Sequence, residues 1–194
     1  MTKNPFQLLT RWLEEEITAG APNPQQAILC TANLNALPHG RVVAIREISE
    51  EGLLFFSQQG TRKVTELLKN PTASLVFWFE LFQREVIIEG NVVALQGSEN
   101  QCYWQSYPRE AQIRFHSYAS SSSLPITTKQ ILEDKKTQIA QHYTDVPLPM
   151  SEFYCGFRLI PERMIFYTYR TDELSDVIEY KKAPAGWQQQ LLSP

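Results

Sequence analysis

Arg41, Ser57, Thr61, Arg62 and Lys63 have the types and the spacing to hold a phosphate group. Thr61 suits a helix N-cap, and the two cations after it fall in the first turn, where the helix dipole is already positive. That arrangement costs stability unless an anion offsets it. Backbone N–H groups without intrahelical partners, a hydroxyl and two cations at one helix end make a phosphate-binding site. For the helix start alone, an Arg-Lys pair turned out into solvent is the slightly better account. What favours the anion is company, because Arg41 and Ser57 belong to the same supersecondary unit.

Other chemistry is thinly represented. Cys30, Cys102 and Cys155 are scattered with no C-x-x-C pair, which fits reduced cytosolic thiols rather than a disulfide framework. His39, His116 and His142 have no ligand spacing, so no metal site is expected. His39, beside Gly40 in a turn, reads as a surface histidine. No side chain stands out as a catalytic acid or base.

The elements that must position the polar set begin with a hairpin. Val42, Val43, Ile45 and Ile48, then Leu53 to Phe56, are β-branched, aliphatic or aromatic runs around a turn at Glu51-Gly52. In a regular strand Arg41 and Arg46 face opposite sides, so both serve one ligand only if a bulge intervenes or the ligand wraps the strand end. Before the hairpin, an amphipathic helix is expected over residues 4–19, with Phe6, Leu9, Trp12, Leu13 and Ile17 as its stripe. A strand follows over 26–31. After the hairpin come a short helix to Asn70, a strand over 73–80 buried on both faces, and a strand over 83–95 bent or bulged at Gly90. Residues 98–116 read as two short helices divided by Pro108, with Ser98 as cap and Tyr103, Trp104 and Tyr107 as core. Residues 118–123 read as a polar loop, 127–143 as an exposed helix and 145–149 as an extended linker. Strands are expected over 153–160, 164–170, 177–180 and 187–192, with a turn at Pro161-Glu162-Arg163. The pattern is mainly β with peripheral helices (α+β), and points to an antiparallel, Greek-key-like barrel.

At 194 residues the chain suits one domain with a sizeable core. Its net charge of −3 and pI near 5.7 argue against a nucleic-acid binder, and local cation clusters suit a small anion better than a polymer. With neither a leader pattern nor an apolar run of membrane-spanning length, a cytoplasmic protein is expected.

The ordered motifs resemble the pyridoxamine 5′-phosphate oxidases and their flavin-binding relatives, which include phenazine-biosynthesis oxidases. They are N-P-F-x-L-L-x-x-W from Asn4, R-V-V-A-I-R from Arg41, F-F-S from Phe55, T-R-K from Thr61 and R-E-V-I-I-E-G from Arg84. Y-P-R-E-A-Q-I from Tyr107, V-P-L-P from Val146, G-F-R from Gly156, I-F-Y from Ile165 and W-x-x-x-x-L-x-P from Trp187 follow. The resemblance implies an FMN-binding split β-barrel and a homodimer with FMN at the subunit interface. It divides residues 1–194 into an N-terminal helix (1–22), a barrel core (24–95), a helical insertion (98–143) and C-terminal dimerisation strands (150–194). Arg41, Ser57, Arg62 and Lys63 would hold the FMN phosphate, with Thr61 beside them. Val42, Val43, Ala44, Ile45, Arg46 and Phe56 would line the ring and ribityl chain. Ser120 and Ser121 fall where the family has a Gln-Ser pair, and Tyr167 where it has a Trp beside the flavin.

The departures carry the specificity. Arg46 replaces a Lys that faces cofactor and substrate, and Glu85 replaces a Gln near the flavin N–H groups. A carboxylate there repels an anionic reduced ring and lowers the reduction potential unless it is protonated. Tyr103 is kept from the substrate-phosphate set, but Tyr107 replaces an Arg and Ala111 a Ser. The family's R-L-H-D-R becomes Glu173-Leu174-Ser175-Asp176-Val177. Each lost Arg–phosphate contact removes about 1.5–3 kcal/mol. The expected function is therefore an FMN-dependent oxidoreductase acting on a small, planar, less anionic organic substrate. The alternatives are a genuine pyridoxamine 5′-phosphate oxidase with a rebuilt pocket that leans on Arg46 and Tyr103, and a non-catalytic flavin-binding protein.

Overall fold

The computed structural model describes residues 4–194; the first three residues of the expected 1–22 segment lie outside them. Eight strands form one sheet: β1 (Gln26–Ala32), β2 (Pro38–Ser49), β3 (Gly52–Gln58), β4 (Thr72–Phe79), β5 (Arg84–Ala94), β6 (Tyr154–Thr168), β7 (Asp176–Ala183) and β8 (Gly186–Leu192). Their order is β3-β2-β1-β4-β5-β6-β7-β8, and β3 also pairs with β6. That second pairing closes six strands into an antiparallel barrel, with β7 and β8 continuing beyond β6. The split-barrel expectation is met.

The chain divides into two compact units. One comprises residues up to 55, 66–93 and 157–194; the other comprises 56–65 and 94–156.

In the first unit, strand parity sends Leu29, Val43, Ile45, Leu75, Phe77, Phe79, Val86 and Ile88 into the core. β4 alternates rather than burying both faces, and Trp78 is 43% exposed. A barrel strand has one inner face, so an apolar run overstates its burial. At Gly90, read as a bend or bulge, β4 and β5 stay in register through Ala73–Gly90 and Thr72–Asn91, so no bulge interrupts that pairing. A Cβ at Gly90 would lie 2.0 Å from the Ile160 carbonyl oxygen, so glycine is there for close backbone approach. The turn expected at residues 161–163 is also missing, because β6 runs through it as one strand. An X-Pro step favours extended backbone as readily as a turn.

Helix α1 (Pro5–Thr18) starts with the Asn4 side-chain oxygen accepting the Phe6 amide at 2.9 Å. Phe6, Leu8, Leu9 and Trp12 are buried, whereas Ile17 is exposed and its neighbour Glu16 is buried instead. Glu16 accepts the backbone amide of Phe82 at 3.0 Å, which compensates its burial. Trp12 packs edge-on against Phe166 and carries the Arg84 guanidinium 4.7 Å from its ring centre.

The second unit contains α3 (Gly97–Ser106), α4 (Arg109–Tyr118), a 3-10 turn over Ala119–Ser121 and α5 (Gln130–His142). Pro108 separates α3 from α4 as expected. The cap of α3 is Gln96 rather than Ser98, with the Gln96 amide donating to Glu99 Oε2 at 3.0 Å. Trp104, Ile113, Phe115, Ala119, Leu148 and Tyr154 form the core of this unit. The buried Trp104 indole donates to the Leu148 carbonyl at 3.1 Å, which ties the Val146–Pro149 segment to α3. Among the described residues no helix is long and apolar enough to cross a membrane.

Candidate functional site

Helix α2 (Arg62–Lys69) opens as its sequence predicts, directly after Thr61 and with no acid in its first turn. Ser57 and Thr61 are each 2% exposed, and their hydroxyl oxygens stand 3.5 Å apart. Thr61 does not spend its proton on the helix: its hydroxyl donates to the Gln58 carbonyl at 2.8 Å. The bond from the Thr65 amide to the Thr61 carbonyl, at 3.0 Å, starts the helical ladder. The amides of Arg62, Lys63 and Val64 therefore precede it, as at any helix start. Arg62 is exposed and Lys63 half-buried. Lys63 also acts on the Cys155 thiol, though burial dominates there and pushes that thiol up to about 12.

In the barrel unit, Arg41 shares the inward parity of Val43 and Ile45. Its Nη1 donates to Thr31 Oγ1 at 2.7 Å and to the Leu29 carbonyl at 3.1 Å. The Thr31 hydroxyl in turn donates to Glu66 Oε2 at 2.5 Å, which lies 3.7 Å from Arg41 Nη2. His39 is no free surface residue, since its Nδ1 stands 2.7 Å from Glu66 Oε1. The reading failed because Glu66, 27 positions on, gives no local sign of reaching β2. Val42, Ala44 and Arg46 point outward and are exposed, whereas Val43 and Ile45 are buried. Side chains of the latter two serve the core rather than a surface ligand.

Glu85 and Tyr167 fall in one neighbourhood of the barrel unit with two aromatics that sequence reasoning missed. Trp78 pairs across the ladder with Glu85 and packs edge-on against Tyr169, ring centres 5.5 Å apart. Tyr167 and Tyr169 lie 4.3 Å apart. Burial, then the Glu85 carboxylate and the Tyr167 phenol, push Tyr169 above its ordinary pKa. The available signal was parity: Tyr169, just past the end of β6, keeps the spacing of Tyr167, and Trp78 alternates with core residues on β4. Val177, where the family has Arg, is buried and pairs with Tyr167. Within the preceding loop Arg170 bonds Asp176 at 3.0 Å and stands 3.5 Å from Glu173.

In the second unit Phe56 stacks on Tyr154, ring centres 4.8 Å apart, and leans on Tyr103 at 5.3 Å. Tyr107 packs near Trp104 and Tyr154, and Ala111 is buried. Gln58 donates to the Tyr118 hydroxyl at 3.2 Å; burial and the Tyr107 phenol raise the Tyr118 pKa. Ser120 accepts from Lys135 at 3.2 Å, and Ser121 donates to the Tyr118 carbonyl at 3.3 Å.

The donor chemistry fits FMN. Hydroxyls, a helix start and cations suit a phosphate dianion, while clustered phenols and an indole suit a flat ring.

The family model for pyridoxamine 5′-phosphate oxidase matches residues 13–143, and the model for the pyridoxine 5′-phosphate oxidase C-terminal dimerisation region matches residues 154–194. A pyridoxine/pyridoxamine 5′-phosphate oxidase of Alteromonas mediterranea is 35% identical, over 100% of this chain and 91% of its own length. One from Acaryochloris marina is 31% identical, over 98% and 86%. Among solved structures, PhzG from Burkholderia lata 383, in complex with tetrahydrophenazine-1-carboxylic acid, superposes with a TM-score of 0.88. It is 26% identical, and the match covers 100% of this chain and 94% of PhzG. A pyridoxamine 5′-phosphate oxidase-related, FMN binding protein of Nostoc punctiforme shares the fold with a TM-score of 0.79, at 15% identity over 100% of both chains.

Proposed function

The chain belongs to the pyridoxamine 5′-phosphate oxidase family, and from that premise we propose an FMN-dependent oxidoreductase, a homodimer, acting on a planar substrate with little anionic charge. The observation that carries the cofactor is the start of α2, where two buried hydroxyls meet two cations with no acid in the turn. Ser57, Thr61, Arg62, Lys63 and Arg41 hold the phosphate. Val42, Ala44, Arg46 and Phe56 follow the ribityl chain and ring, Ser120 and Ser121 bond the cofactor, and Glu85 and Tyr167 face the ring. Bound FMN supplies a ring that accepts hydride from the substrate.

The residues of the chain bind, orient and exclude water; none is assigned proton transfer. Tyr103 and the aromatic cluster around it flank a flat substrate. The loop from Arg170 to Asp176 favours low negative charge, because Arg170 is engaged by Glu173 and Asp176 and the family's arginines are gone. The tetrahydrophenazine carboxylate named with PhzG supports a fused aromatic substrate. For the homodimer, the family's dimerisation region is joined by an apolar row on the outer barrel face. Val42 (60% exposed) lies opposite Ile28 (44% exposed), which lies opposite Val76, which lies opposite Ile87.

A second reading, a pyridoxamine 5′-phosphate oxidase with a rebuilt pocket, is favoured by the names of the curated relatives and by the retained Tyr103. The two separate in a turnover panel on the FMN-loaded protein. Reduced phenazine-like compounds should bleach the flavin anaerobically, while pyridoxamine 5′-phosphate should do so slowly. Enzyme-like formation of pyridoxal 5′-phosphate selects the second reading. A bound flavin that no donor reduces points to a binding protein without turnover.

A further inference from the structure

Gly156 marks the point of β6 where no side chain can be placed. A Cβ there would lie 2.6 Å from Phe56 Cε1, 2.7 Å from Leu95 Cδ1 and 2.9 Å from Asn100 Oδ1. Its φ is not positive and it lies within a strand, so the glycine provides space rather than an unusual conformation. The ring that uses the space is Phe56. It stacks on Tyr154 with ring planes 12° apart, two positions before Gly156 on the same face of the strand, and also leans on Tyr103. Asn100 closes the same corner. The Leu95 amide donates to the Gly156 carbonyl at 2.9 Å, and the return path runs through the Asn100 side chain. Its Oδ1 accepts the Gly156 amide at 2.7 Å, and its Nδ2 donates to the Leu95 carbonyl at 3.2 Å. We propose that Gly156 and Asn100 are positioning residues for the flavin site: the first admits the Phe56 ring, and the second fixes the backbone spacing that keeps it in place. This rests on the FMN reading above, in which Phe56 follows the flavin and Tyr103 flanks the substrate.

The argument is one of space. Every residue in it belongs to one compact unit. A methyl carbon at 2.6 Å stands about 1 Å inside the favourable carbon–carbon separation. Three neighbours could yield to it, and they are not equally free. Leu95 is only partly buried, so the end of its side chain can rotate away. Asn100 is buried with both ends of its amide engaged, so moving it breaks two hydrogen bonds. Phe56 carries a rigid ring that can retreat only as a whole, off its stack with Tyr154 and away from Tyr103. An added methyl at residue 156 is therefore felt at the flavin through Phe56.

The experiment is titration of apoprotein with FMN, followed by quenching of flavin fluorescence. The proteins are wild type, Gly156→Ala, Phe56→Leu and the double variant, with circular dichroism as the check on folding. Gly156→Ala should raise the FMN Kd roughly three- to tenfold when Phe56 is present and leave it nearly unchanged in the Phe56→Leu background. A general distortion of the strand would act alike in both backgrounds. Riboflavin, which lacks the phosphate, is the parallel ligand and should show the same ratios; if it binds too weakly to titrate, the FMN cycle decides alone. Asn100→Ala should show the same dependence on Phe56, and takes the place of Gly156→Ala if that variant does not fold. Equal ratios in the two backgrounds, an unchanged Kd in folded Gly156→Ala, or an effect on FMN that bound riboflavin does not share overturns the proposal. A wild type that binds no flavin overturns the FMN reading and this proposal with it. A wild type that binds FMN, with no coupling between residues 156 and 56, overturns this proposal only.

Discussion

Arg41 and Arg46 stand on one strand with a β-bulge next to the second. Ile45 pairs with Phe55 but Glu47 pairs with Leu54, so Arg46 is the extra residue. Arg41 is held inward by Thr31 and Leu29, and Arg46 is exposed. The bulge falls at Arg46 itself rather than between the two cations, so Arg41 and Arg46 still face opposite sides of β2.

Replacing Arg46 should separate binding from stability. If Arg46 contacts FMN as proposed, Arg46→Ala should weaken FMN about tenfold, or about 1.4 kcal/mol. The melting temperature of the apoprotein should stay within about 1–2 °C, because an exposed side chain contributes little to folding. Fluorescence titration and thermal melts check the two halves.

The proposed site puts Glu85 against the flavin ring. On that placement Glu85→Gln should raise the two-electron potential by on the order of 30 mV, equivalent to about 1.4 kcal/mol. Equilibration with a reference dye measures it, and a shift to lower potential would count against Glu85 facing the ring.

On the proposed function, the loop between β6 and β7 sets phosphate tolerance. Glu173→Arg combined with Ser175→His restores two family positions and releases Arg170 from Glu173. Pyridoxal 5′-phosphate should then bind at least about tenfold more tightly, since one charge-assisted bond is worth about 1.5–3 kcal/mol. Isothermal titration reads this directly, and no gain would mean that the loop does not face the substrate.

How much of this was legible follows physical lines. Local signals were reliable: the Asn4 cap, the Pro108 break and the start of α2 directly after Thr61 all lie where short-range chemistry put them. Parity arguments worked when applied to Arg41 and Arg46 and failed where an apolar run hid them, as in β4, whose Trp78 faces outward beside Tyr169. Contacts distant in sequence were invisible. Nothing near Glu66 announces Thr31 and His39, and nothing in helix α1 announces that Glu16 would be buried under the Phe82 amide. Gly90 was read as a bend or bulge because glycine marks such irregularities as well as close approaches, and only its nearness to the Ile160 carbonyl reveals the second use.

The cysteines give a prediction independent of cofactor. Cys155 is buried, with its thiol pushed up to about 12 by burial, while Cys102 is exposed. At pH 8 the thiolate fraction of Cys155 is on the order of one in ten thousand. A disulfide reagent should label Cys102 in the native protein within minutes and Cys155 only after unfolding, as peptide mass mapping would reveal.

The central claim is that the start of α2 grips the phosphate of FMN, and the double variant Arg62→Ala with Lys63→Ala tests it most directly. Wild type and variant are loaded with FMN, passed through a desalting column and compared by flavin absorbance per chain, with circular dichroism as the check on folding. The account predicts a yellow wild type beside a folded variant that has lost most of its flavin. Equal retention by a folded variant, or a wild type that keeps none, would contradict it.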